Sequence, residues 1–77
     1  MNISVIGSGC ANCKKLLQNT EDAVKELNVE AKIIYVTDMM EIAKTGILRT
    51  PGLMIDGKIV SSGKVCTVEE VKKLIIG

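Results

Sequence analysis

The chain has 77 residues, which leaves room for one small domain, and its ten Lys and Arg against nine Asp and Glu give a formal charge of +1. That balance offers no electrostatic case for nucleic acid or an anionic membrane as partner. No apolar run approaches the ~18 residues of a membrane span. Aromatic residues make up 1 %, a single Tyr35 with no Phe or Trp, while hydrophobic residues reach 47 %, so the core is aliphatic. With only two residues ahead of the first apolar run, a signal peptide is not expected, and the chain reads as cytoplasmic. In a reducing compartment cysteines serve catalysis or metal binding more than structure, and three of them cannot close a disulfide framework.

Residues 2–6, "NISVI", are rich in β-formers and end at Gly7-Ser8-Gly9, which predicts a strand leaving into a tight loop. From Ala11 to Leu27 the residues Cys13, Leu16, Leu17, Thr20, Val24 and Leu27 recur at helical spacing, with the charged residues mostly elsewhere. Asn28 supplies a left-handed stop. Residues 31–36, "AKIIYV", form the second strand. Asp38 with Glu41 reads as a capping box for a short helix over 39–45, ended by Gly46. Asp56-Gly57 predicts a two-residue hairpin turn with arms at 53–55 and 58–61. Thr67 and Glu70 form a second capping box, opening a helix that buries Val68, Val71, Leu74 and Ile75.

The order is therefore β-α-β-α-β-β-α, an α/β fold. A parallel β-α-β unit followed by an antiparallel hairpin gives a four-stranded mixed sheet with helices on both faces.

Chemistry concentrates in "GSGCANCKK" (7–15). Cysteines at i and i+3 of a first helical turn share a face and can reach the ~4.4–6.8 Å Cα separation of a disulfide. Cys10 falls at the helix start, where unpaired backbone N–H groups favour a thiolate and hold its pKa below the ordinary thiol value. Cys13, one turn in, is expected to be more buried. On that asymmetry Cys10 is the nucleophile and Cys13 the resolving thiol. The glycines flanking Ser8 are expected to let another polypeptide approach the Cys10 sulfur.

Rival readings exist. Structural zinc needs four ligands, and the chain has no His and one further Cys. Two thiolates do suit Cu(I), and "GSGCANC" resembles the loop of small heavy-metal-associated domains, although their β-α-β-β-α-β order differs. A soft-metal binding or delivery module is thus the alternative function, and a non-catalytic adaptor with an apolar rim is another. Two cysteines can also pack simply as small hydrophobes.

Pro51, the single proline, opens the third strand, a position proline tolerates. Cys-x-x-Cys at the first β-α junction, then "GILRTPGLMIDGKI", resembles the thioredoxin superfamily over the whole chain in its minimal glutaredoxin-sized form. "GSGCANCKKL" with "TPGLMIDGKIVSSGKV" is similar to the small thioredoxin-like redox-active disulfide proteins of archaea and bacteria. The resemblance implies strand order 2-1-3-4 and a thiol–disulfide oxidoreductase that reduces disulfides of proteins or small thiols. It further implies a cis bond at Pro51, backbone hydrogen bonds from Thr50 to an extended substrate, and Gly63 lining the same surface. The redox group would be the Cys10–Cys13 disulfide itself, with no other cofactor and no metal. Partners would be disulfide-containing proteins and a thioredoxin-reductase-like donor, with the chain a monomer. The sequence departs from the family at Gly9, where an aromatic often stands, and at Ala11-Asn12, where Gly-Pro is usual.

Cys66 stands just before the Thr67 cap, a hydrophobic-staple position, or else borders the active surface as a third thiol. Met39-Met40 is expected to pack into core and helix, and Lys72-Lys73 to form a solvated face.

Overall fold

A computed structural model describes residues 1–77. In chain order it contains β1 (Asn2–Ile6), α1 (Ala11–Leu27), β2 (Lys32–Val36), α2 (Met39–Thr45), β3 (Gly52–Ile55), β4 (Lys58–Ser62) and α3 (Val68–Ile76). The sheet order is β2-β1-β3-β4. β1 and β2 run parallel, Ile3 opposite Ile33 and Val5 opposite Tyr35. β3 runs antiparallel to both β1 and β4. This places four chain segments at one end of the sheet: the carboxyl ends of β1, β2 and β4, and the amino end of β3.

Alternation along β1 divides the core between the two faces. Ile3 and Val5, fully buried, pack with Leu16 and Ala23 of α1, Val71 of α3, Leu53 and Cys66. Ile6 points the other way and packs with Ile42 of α2 and with Ile47. The helices therefore cover both faces. Thr20, fully buried on the α1 stripe, bonds the Leu16 carbonyl at 2.8 Å, so the position costs no unpaired hydroxyl. The Tyr35 hydroxyl, by contrast, is buried without a partner in the chain.

The ends of the helices follow local chemistry. Asn28 (φ 52°) and Gly46 (φ 81°) adopt the left-handed conformation that ends α1 and α2. At α3 both halves of the capping box form: Thr67 Oγ1 accepts from the Glu70 N–H, and Glu70 accepts from the Thr67 N–H. At α2 only half does. Asp38 accepts from the Met40 N–H at 2.8 Å, while Glu41 turns to Lys44 at 3.5 Å. Two carboxylates at one helix start repel, and the lysine one turn on relieves Glu41.

Three further expectations need correction. Met39 and Met40 are 70 % and 71 % exposed, because α2 is a single-sided cover that buries only Ile42. Lys72 is not simply solvated: it bridges Glu26 of α1 at 2.9 Å and Glu69 at 3.0 Å, pinning α3 to α1. The hairpin turns at Asp56 (φ 49°) and Gly57 (φ 84°), but its arms are Gly52–Ile55 and Lys58–Ser62, with a bulge between Leu53 and Met54. Leu53 pairs with Ser61 and Met54 with Ile59, leaving Val60 as the extra residue. No helix is long and apolar enough to cross a membrane.

Candidate active site

Cys10 is the N-cap of α1. Its backbone is extended (φ −68°, ψ 166°), and its sulfur accepts the Cys13 N–H at 3.2 Å. One of the unpaired N–H groups of the first turn thus points at a sulfur, and the positive end of the helix dipole lies behind it. Cys10 is exposed, whereas Cys13 is fully buried on the same helix face as Leu16. The two are joined as a disulfide with a Cα separation of 5.0 Å. α1 carries no acidic residue in its first turn, so nothing there opposes a developing thiolate.

The rest of the site comes from the strand ends. Ile6 pairs with Gly52, which brings Pro51 beside Gly7 as the two antiparallel strands continue. The Thr50–Pro51 peptide bond is cis, Pro51 is buried and Thr50 is exposed. The backbone N–H of Gly63 donates to the Pro51 carbonyl at 2.9 Å, tying the loop after β4 to the turn before β3. Gly63 takes φ 70°, and a Cβ there would lie 3.0 Å from Arg49 Cβ. Both the conformation and the tight space favour glycine at this position. The structure thus gathers Cys10, Cys13, Pro51 and Gly63 at one end of the sheet.

The two glycines flanking Ser8 act differently, which the sequence did not separate. Gly9 takes φ 91° and has nothing within 4 Å of where a Cβ would stand, so approach to Cys10 from this side is open. Gly7 is buried and donates to the Val36 carbonyl at 2.9 Å. A Cβ on Gly7 would overlap the Cys13 sulfur and lie 2.8 Å from Cys13 Cβ. Gly7 therefore faces inward and makes room for Cys13, not for a substrate. Residue spacing alone carries no signal for this, because strand pairing decides which side a loop glycine faces.

Sequence reasoning did not identify the residues of an apolar border at this end. Met39 and Met40 follow the carboxyl end of β2, and Leu48, 96 % exposed, precedes the Pro51 turn at the same end. Cys66 belongs to the core. It is 2 % exposed, its sulfur meets Ser61 Oγ at 3.4 Å, and it packs with Val71 as a hydrophobic staple. No three His, Cys, Asp or Glu side chains gather to hold a metal ion.

Residues 1–76 match the family model described as a thioredoxin domain. Among similar proteins, a thioredoxin of Methanothermobacter thermautotrophicus is 40 % identical over 75 residues, spanning 97 % of each chain. A thioredoxin of Methanocaldococcus jannaschii is 42 % identical over 71 residues, spanning 92 % of this chain and 81 % of that protein.

Proposed function

The chain belongs to the thioredoxin family, and on that premise we propose that its thiol–disulfide oxidoreductase activity is carried by Cys10 as nucleophile and Cys13 as resolving thiol. The observation that carries this reading is the Cys10 sulfur, exposed at the N-cap of α1 and bonded to a buried partner. In the reduced enzyme the Cys10 thiolate attacks one sulfur of a substrate disulfide. A mixed disulfide forms and the other substrate sulfur leaves as a thiolate, which takes up a proton. Cys13, once deprotonated, attacks the Cys10 sulfur and releases the second substrate thiol, closing the Cys10–Cys13 disulfide. Two electrons pass from the pair to the substrate, and a thioredoxin-reductase-like donor returns them.

Thr50, Pro51 and Gly63 form the substrate ledge in this reading. Thr50 lies outside the strands, and its backbone makes no loop hydrogen bond to the rest of the chain, so it is free to pair with an extended segment. The exposed Met39, Met40 and Leu48 support a polypeptide substrate over a small thiol, because apolar area gives binding a small thiol has no surface to use. One family model spanning residues 1–76 supports a single working domain. A free, buried Cys66 accords with a reducing, cytoplasmic setting, and we take the working unit to be the monomer.

The test is reduction of a protein disulfide coupled to dithiothreitol, comparing the unaltered chain with Cys10→Ser. Turnover is expected to disappear in the variant. Activity that survives the substitution would overturn the assignment of Cys10.

A further inference from the structure

We infer that Gly7 is a positioning residue that sets the redox equilibrium of the Cys10–Cys13 pair, by reserving for the Cys13 sulfur a place it must occupy in the disulfide. The inference rests on the reading of this pair as the redox centre. Gly7 lies outside the left-handed region, so backbone conformation does not demand glycine there. Space does. A Cβ at Gly7 overlaps the Cys13 sulfur, and the Gly7 backbone cannot retreat, since its N–H is held by the Val36 carbonyl at 2.9 Å. The Cys13 backbone cannot retreat either, since it belongs to α1 and lies beside the core.

The two redox states meet a methyl group at this position differently. In the disulfide the Cys13 sulfur is tethered to Cys10 and stays against Gly7. In the dithiol the tether is gone, and the sulfur can rotate about its Cα–Cβ bond away from the obstruction. Part of the crowding is common to both states, because Cys13 Cβ would lie 2.8 Å from the added carbon whatever the sulfur does. The remainder penalises only the oxidised form. Glycine at this position therefore favours the disulfide, and alanine would make the pair a stronger oxidant.

The experiment equilibrates Gly7→Ala and Ser8→Ala with graded dithiothreitol buffers and reads the fraction of Cys10–Cys13 disulfide by mass after alkylation. Gly7→Ala is expected to shift the equilibrium at least tenfold toward the dithiol, about 30 mV for a two-electron couple. Ser8→Ala, an exposed neighbour, is expected to shift it less than twofold. A smaller shift in Gly7→Ala, with equal loss of thermal stability in both redox states, would mean a purely structural role and overturn the inference. A Gly7→Ala chain that folds as the disulfide less readily than as the dithiol supports the inference, and one that folds in neither state overturns it, since the crowding is then common to both. The equilibrium is measured on the pair itself with no substrate, so an inactive wild type would sink the proposed function while leaving this result readable.

Discussion

The sulfur of Cys10 accepts the backbone N–H of Cys13 at 3.2 Å, so the proposed nucleophile is also the cap of the helix that carries its partner. Catalysis and helix stability meet in one atom, and different substitutions separate them. Serine is a good N-cap but a poor nucleophile at neutral pH, whereas alanine is neither. Measured on reduced proteins by thermal or urea unfolding, Cys10→Ser is expected to keep stability within about 0.5 kcal/mol, and Cys10→Ala to lose about 1 kcal/mol. Both are expected to be inactive. A Cys10→Ala chain as stable as the unaltered reduced chain would show that the sulfur does not cap the helix.

The same bond predicts the acid–base behaviour of Cys10. A thiolate at this position gains a charge-assisted hydrogen bond and the positive end of the dipole, which favours it over the thiol. The rate of iodoacetamide modification of the reduced chain, followed against pH, reads this preference directly. Cys10 is expected to react first and Cys66 last, since Cys66 is 2 % exposed and reacts only when the core opens. A Cys66 that labels as fast as Cys10 would contradict its place in the core.

Tyr35 offers a gain in place of a loss. Its hydroxyl is buried with no partner in the chain, and a buried unpaired hydroxyl is a penalty of about 1–3 kcal/mol. Tyr35→Phe keeps the ring and removes the penalty, so unfolding experiments are expected to show equal or higher stability. A loss of more than about 1 kcal/mol would indicate that the hydroxyl is satisfied in solution.

The start of α3 predicts a pH window. The hydrogen bond from Lys64, reinforced by the Thr67 backbone N–H, holds the Glu70 carboxyl below its ordinary value. The same pairing with Glu70 raises Lys64 above its own. The carboxylate contribution is present above the unfolded value of about 4.3 and is lost as pH falls through the lowered folded one. The lysine contribution is present below about 10.4 and is lost as pH rises through the raised one. The difference in melting temperature between wild type and Glu70→Gln should therefore be widest near neutrality and narrow at both extremes. Because the pair is exposed, the effect is small and salt-sensitive, and a difference that ignores pH would reject it.

Gly63→Ala tests the ledge beside Pro51. The residue sits at φ 70°, and its new methyl would meet Arg49 Cβ at 3.0 Å. A left-handed non-glycine costs about 1–2 kcal/mol, and the crowding disturbs the bond from the Gly63 N–H to the Pro51 carbonyl. A fall in stability of that order is expected together with a rise in KM for a protein disulfide. Loss of stability with KM unchanged would remove Gly63 from the substrate surface.

Much of the molecule was readable in the chain because its signals are local. Hydrophobic period placed α1 at residues 11–27, Asp56-Gly57 placed the hairpin turn, and Thr67 with Glu70 placed the start of α3. The Cys10–Cys13 spacing at a helix start was enough to put the two thiols within disulfide reach, since three residues separate them across the first turn. What tertiary structure decided is where each segment faces. Gly7 and Gly9 look alike in sequence, yet strand pairing turns one against the Cys13 sulfur and leaves the other open. Met39 and Met40 have core-like side chains, yet α2 is too short to bury more than Ile42. Lys72 was indistinguishable from its neighbour until α3 packed on α1 and brought Glu26 within 2.9 Å. Local spacing determines which residues lie on one face of one element. Which face meets the core, and which meets a substrate, is fixed only when distant elements pack together.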